Sequence, residues 1–425
     1  ARGIPTIMGR SLLPRGGGPA GYTLTEIAAD RVHVFEKLPG QPLSEAVFSF
    51  SMTDRVEEIT GQHSLAPPNE DINLDYPQIR RIFAVGDSMS ISGAPLLLGD
   101  SLLIYGNSAG QIHAWDIVGQ SLLWTVESGA PVYARPLLHS GSTPGAEPLI
   151  ITGNAGGWLA GFSLKTGDII WEQQTGQPVI SSAVSTDKLV YQGLGIKGMA
   201  ALKAADGTRA WVFEHQGRGL IQSIPVIYRN MLIFTAWDNY VYALDKHSGA
   251  LLWKWHTGHS GRLLSPGNVQ PVVADGKIFL VAPDRRMRAL DVQTGQEHWQ
   301  KSGHQVRESM GLSTDSLIVY AKLMNDSILA VSSQASHFDI KWISPVGFGY
   351  DHNPVPIISS ESRVYAATKN GLVMALSASD GALIWKHKVG HSSIIGMQLS
   401  NDESLWLTTA DGWVVGLKDT DFSPL

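Results

Sequence analysis

Seven tryptophans recur at positions 124, 171, 211, 253, 299, 342 and 385, separated by 47, 40, 42, 46, 43 and 43 residues. Six of them close an eleven-residue segment: AWDIVGQSLLW (114–124), GFSLKTGDIIW (161–171), ALKAADGTRAW (201–211), ALDKHSGALLW (243–253), ALDVQTGQEHW (289–299) and ALSASDGALIW (375–385). The seventh, from Ala330 to Trp342, carries two further residues. Self-similarity at this period restricts the chain to a repeat architecture, in which each unit buries its apolar face against its neighbours.

Between the tryptophans, apolar and polar residues alternate and are interrupted by Gly, Asp and Asn, which predicts four short strands per repeat. From Pro271 to Trp299 these read PVVADG, KIFLVAPD, RMRALDVQTG and QEHW. Asp275-Gly276 and Thr294-Gly295 supply the residues that tight hairpins need at positive φ. No segment sustains helical periodicity. The expected fold is all-β, an eight-bladed propeller of four-stranded antiparallel blades. After Trp385 only three strands remain (HSSIIGMQLS, ESLWLTTADG, WVVGLKD), and the stretch from Gln78 to Gly86 supplies a fourth. N- and C-terminal strands sharing one blade would close the ring and leave no long exposed edge. Aligning Gln78–Gly86 with Ala382–Gly390 sets Arg81 at the tryptophan position.

The repeats resemble the PQQ-repeat, quinoprotein-like propellers, including the non-enzymatic BamB-like ones, whose blades carry A-x-D-x-x-T-G-x-x-x-W. Ala289-Leu290-Asp291, Thr294-Gly295 and Trp299 form the cleanest copy, and the copies at 114 and 161 depart at several positions. The resemblance implies that Trp124, Trp171, Trp211, Trp253, Trp299, Trp342 and Trp385 are structural blade locks. Their recurrence at one blade position supports packing between blades over ligand stacking.

Three regions are expected: a small β segment at 1–40, a linker at 41–77, and the propeller at 78–425. The first segment, with its Gly-rich loop and the hairpin YTLTEIAADRVHVFEK, resembles the C-terminal tail of calcineurin-like metallophosphoesterases. Of that family's metal-binding stretches, G-N-H and G-H-x-H are absent and D-x-H occurs only as Asp245-Lys246-His247 inside a repeat signature, so the resemblance implies at most the accessory half of a phosphoesterase. The chain opens at Ala1-Arg2-Gly3 without a charged-then-apolar leader, and is expected to be a processed or excised piece of a longer product.

The bulk properties narrow the chemistry. A net charge of −6 without a basic block gives no footprint for nucleic acid. There is no apolar run long enough for a membrane span. With no cysteine, disulfides and thiolate zinc sites are excluded. Gly106-Asn107-Ser108-Ala109-Gly110 matches a nucleophile elbow but is expected to join two strands, where an elbow joins strand to helix. Asp71-x-Asn73-x-Asp75 begins like a calcium loop, yet Tyr76 stands where glycine is required. His247, His256 and His259 have no zinc spacing. No catalytic residue and no metal site is therefore expected.

A ligand would sit where the innermost strands converge on the axis. The residues predicted to face that funnel are Ser92, Tyr133, Ile180, Gln222, Asn268, Glu308, Asn353 and Ser393, followed two residues later by Arg135, Gln270 and Met310. Neighbouring loops add a polar rim of Arg218, His259, Arg262, His304, Arg307, Tyr350, Asp351, His352 and His391, suited to protein or glycan contact. The expected function is a non-catalytic binding or scaffold propeller of the bacterial cell envelope, periplasmic or extracellular, with no cofactor. The alternative is a quinoprotein dehydrogenase using pyrroloquinoline quinone (PQQ) and Ca²⁺. For that reading, Glu308 and Asn353 are the nearest metal-ligand candidates.

Overall fold

A computed structural model describes residues 22–28, 30–38, 40–51, 70–141, 147–215, 217, 219–259 and 262–421. The chain divides into two compact units, residues 1–70 and 71–425. In the first, the hairpin read from sequence forms as Tyr22–Ala28 against Arg31–Lys37, with Thr25 opposite Val34. Phe48–Ser51, within the stretch expected to be linker, adds a third antiparallel strand. Val32 and Val34 alternate inward and are buried. The Gly-rich loop expected before the hairpin lies outside the described residues.

Among its described residues the second unit contains eight four-stranded antiparallel sheets, called first to eighth here in chain order. The first runs from Leu96–Leu98 to Ser121–Glu127, and the seventh from Ile358–Ser359 to Leu383–Lys388. Each of these seven uses consecutive strands. The eighth takes Ile394–Leu399, Leu405–Thr409 and Trp413–Asp419 from the C-terminal end and Ile79–Gly86 from the other, with Trp413 opposite Gly86 and Asp419 opposite Ile79. The second and third strands of a sheet are packed on both faces. Met231–Thr235 is buried at every residue, so it reads as an unbroken apolar run without alternation. The core lies between neighbouring sheets: Tyr365 and Trp385 of the seventh pack with Met397, Leu407 and Val415 of the eighth.

The eleven-residue signature follows from this packing. Its first residue pairs directly with the tryptophan across two strands: Ala114 with Trp124, Gly161 with Trp171, Ala289 with Trp299. Only a small side chain leaves room for the ring; a Cβ added at Gly161 would fall 2.5 Å from Trp171 Nε1. The signature Asp closes the turn, since Asp291 Oδ1 accepts from the amides of Gln293 and Thr294 and from the Thr294 hydroxyl. The glycine that follows takes positive φ, +71° at Gly295, and lies on the tryptophan of the preceding sheet.

Five seams share a complete lock. The indole N–H of Trp124, Trp171, Trp211, Trp253 and Trp342 donates to the backbone carbonyl of Leu164, Ala204, Lys246, Val292 and Ala378 in the next sheet, at 2.9 to 3.2 Å. At the turn glycine beside each, a Cβ would meet the ring within 2.4 to 2.9 Å. Trp299 and Trp385 differ, because their indole nitrogens have no partner. The two-residue insertion in the sixth sheet removes the glycine, and Phe338 packs edge-on to Trp299 at 5.4 Å in its place. Beyond Trp385 lies the eighth sheet, whose outer pair comes from the two chain ends and has no such turn.

The eighth sheet also corrects one alignment. Gly416 is opposite Phe83, followed by the same register break that follows Ala375 opposite Trp385. Phe83, not Arg81, occupies the tryptophan position; it is buried, 5.3 Å from Trp406. Arg81 instead reaches back and donates to the Val389 carbonyl at 3.2 Å. Asn73, met in sequence as part of a calcium-like run, grips the Lys388 backbone twice: its Nδ2 donates to the carbonyl at 2.9 Å and its Oδ1 accepts from the amide at 2.7 Å. That use of the amide accounts for the residue without a cation.

Candidate functional site: an axial cavity

The first strands of all eight sheets converge on one cavity of about 1010 Å³. Each contributes a short run that enters the sheet through a small residue or proline, as in Ser92-Gly93-Ala94, Gln270-Pro271 and Pro356-Ile357. Because each strand shows alternate residues to the axis, the walls are mainly aliphatic, with polar side chains near the strand starts.

Tyr133, Arg135, Gln222 and Gln270 line this cavity, together with Ser92, Ile180 and Met310. Asn268, Glu308, Asn353 and Ser393 are not among its walls, which corrects the simple rule that one position per repeat faces the axis. Asn353 turns sideways and donates from Nδ2 to the Ile394 carbonyl of the next sheet at 2.7 Å. Ser393 donates to the Lys369 carbonyl. Glu308 falls where the pairing of Val306–Leu312 with the neighbouring strand breaks register, so that its side chain is buried beside Arg307, whose Nε lies 2.7 Å from Glu308 Oε2. Asn268 keeps a buried Oδ1 without a partner and precedes the wall-forming Gln270.

The expected rim also divides. His352 is exposed beside Tyr350, and His259 is partly exposed, its Nε2 3.1 Å from Asp284. His304 packs on Phe338, and Arg307 is held by Glu308. The side chain of Arg262 and the whole of Arg218 lie outside the described residues. Asp351 is no rim residue: it is buried and 2.6 Å from the equally buried Lys322 ammonium. Burial alone would raise the Asp351 carboxyl, but Lys322 and the amides of Lys369 and Asn353 override it and hold it below the ordinary range. Burial pulls Lys322 down against the same pairing, and pushes Glu308 up against Arg307.

Two residues were missed by the sequence reading. Gln398 lines the cavity, its amide fastened to both backbone groups of Leu97 at 2.9 and 3.1 Å, and its Oε1 accepts from Arg135 Nη2 at 2.9 Å. Lys322 anchors the buried charge pair. The visible signal in each was one polar residue inside an apolar strand, GMQLS and IVYAKL.

A quinone with Ca²⁺ does not fit this donor set. No carboxylate lines the cavity, Glu308 is engaged with Arg307, and the Asn353 amide is spent on Ile394. Among the described residues no three His, Asp or Glu side chains are grouped to hold a metal ion, and no helix is long and apolar enough to cross a membrane.

The family profile described as outer membrane protein assembly factor BamB matches residues 79–211, 155–343 and 342–421, most of the chain. The chain belongs to this BamB family. The assembly factor BamB of Yersinia pestis is 24% identical over 256 residues, covering 55% of this chain and 62% of that protein. The chain thus spans less than two thirds of the curated BamB relatives it matches. Among solved structures, BamB from Moraxella catarrhalis superposes with a TM-score of 0.65 at 16% identity, covering 80% of this chain and 99% of that one. Quinohemoprotein alcohol dehydrogenase from Comamonas testosteroni follows with a TM-score of 0.63 at 12% identity, over 84% and 79%. At such identities the two structures establish the propeller fold that BamB shares with these dehydrogenases. The BamB profile begins at residue 79, so it does not bear on the expected resemblance of residues 1–40 to a phosphoesterase tail.

Proposed function

We propose that this chain is an eight-bladed, non-catalytic propeller that serves as a binding scaffold in the bacterial cell envelope, taking a protein partner on the loops at the mouth of the axial cavity. The observation that carries the reading is the chemistry of the walls: the eight inner strands give the cavity aliphatic sides and no carboxylate for acid-base work or cation binding. Membership of a family described as an outer membrane protein assembly factor supports the compartment and the class of partner. The exposed His352 and partly exposed His259 lie in loops that enter or leave the inner strands, where a partner would meet them.

Site-specific photocrosslinkers at His259 and His352, with a control at Lys165 in a turn between the two outer strands of the second sheet, test this in envelope extracts. A protein adduct of defined mass at the first two positions and none at Lys165 is expected. Adducts only with glycan, or equal adducts at all three positions, would refute a protein partner at this face. Dye reduction with an alcohol after incubation with PQQ and Ca²⁺ would overturn the non-catalytic reading.

A further inference from the structure

Among the described residues, Arg135 is the single charged side chain on the walls of the axial cavity. No carboxylate accompanies it: its Nη2 donates to the neutral Gln398 amide at 2.9 Å, and its Nε has no partner. Burial depresses its pKa, and no neighbouring charge offsets the effect. A guanidinium held against aliphatic walls without a counter-charge carries a desolvation cost that a protein normally offsets with an acid. Among the described residues none is supplied.

The surroundings hold the group in place. The Arg135 amide donates to Ser182 Oγ at 2.8 Å, and Gln398, which receives the guanidinium, is itself fixed to Leu97. The first, third and eighth sheets therefore hold this residue of the second in place. A planar guanidinium matches the two oxygens of a carboxylate. One cation balances one negative charge, whereas a phosphate dianion would ask for a second, and the walls contain none. Around it, Leu138, Ile224, Val273, Leu312 and Ile395 offer an apolar surface, in a volume typical of small-molecule sites.

We infer that the axial cavity binds an amphiphilic monocarboxylate, its head on Arg135 and its apolar body along the aliphatic walls. This goes beyond the scaffold reading and does not depend on it: crosslinking at the loops and ligand binding in the cavity fail separately.

Calorimetric titration of the full chain with octanoate, 1-octanol and acetate tests the assignment. Octanoate is expected to bind with a stoichiometry of one and at least tenfold more tightly than either control. Arg135→Gln should weaken octanoate at least tenfold and leave 1-octanol unchanged, while Arg135→Lys should fall between. Octanoate binding no tighter than 1-octanol, unchanged in Arg135→Gln, or absent from the parent chain would overturn the inference. If Arg135→Gln melts early, Ile224→Trp, which narrows the cavity and keeps the guanidinium, replaces it. Octanoate binding that survives this variant at parental affinity also overturns the site.

Discussion

The seam between the fourth and fifth sheets and the seam between the fifth and sixth are built from the same two strand types and held differently. In the first, Trp253 is buried, donates to Val292 and receives Gly295 on its face. In the second, Trp299 is only partly buried, has no acceptor and meets Phe338 edge-on. The Asp, the small residue opposite the ring and the ring itself are present in the fifth sheet's own signature; what fails is the glycine turn of the neighbour. A lock in this fold belongs to two repeats, and half of it is written some forty residues downstream. Judging a tryptophan by its own repeat therefore overstates Trp299.

The eighth sheet is the extreme case, and removing residues 78–86 should have the largest effect. Loss of its outer strand exposes the apolar faces of Phe83's neighbours Trp406 and Leu97 and should cost more than about 5 kcal/mol. A deletion variant that melts in one transition at the parental temperature would break the assignment of this strand to ring closure. Next in size, Trp253→Ala should cost about 3–5 kcal/mol in urea denaturation, against roughly half of that for Trp299→Ala. Equal losses would show that the glycine and the carbonyl contribute little to the lock.

A smaller effect depends on pH. His387 lies one turn of the pleat beyond Trp385, and burial, aided by the charge of Arg81, lowers its pKa to about 4. The neutral ring is favoured in the folded chain, so the unfolded chain takes up the proton first as the medium is acidified. Stability should fall as pH drops from about 6.5 towards 4, by up to about 3 kcal/mol. His387→Gln should flatten that window in urea titrations at several pH values; an unchanged slope would remove His387 from the account. The smallest effect is expected from Asn73→Ala, which removes two hydrogen bonds to Lys388 and should cost about 1–2 kcal/mol by thermal melting. A loss near zero would mean that water replaces the amide there.

These comparisons also show what was legible in the sequence. Strand number, turn positions and the sharing of one sheet by the chain ends follow from periodic residues, because packing between repeats forces the same residue types to recur. The two-residue error that set Arg81 in place of Phe83 arose because the eighth sheet has no turn between its outer strands, hence no Gly to fix the count. The cavity was legible in part: Tyr133, Arg135, Gln222 and Gln270 obey the repeat, while Glu308 and Asn353 do not. A register break redirects the first and a hydrogen bond to Ile394 the second, and neither leaves a periodic trace. The buried partnership of Lys322 with Asp351 was hidden for another reason, since the two residues belong to different strands and are joined only by folding.

The shared eighth sheet has a consequence in time. Ile79–Gly86 leaves the ribosome roughly 330 residues before its partner Trp413–Asp419, an interval of roughly 20–60 s at ordinary synthesis rates. During that interval the strand waits with its hydrogen-bonding edge open, and an apolar strand in that state pairs with whatever it meets. Arg80 and Arg81, near the start of IRRIFAVG, give that waiting strand two positive charges. Two charges on such a strand disfavour pairing with another chain until Trp413–Asp419 arrives.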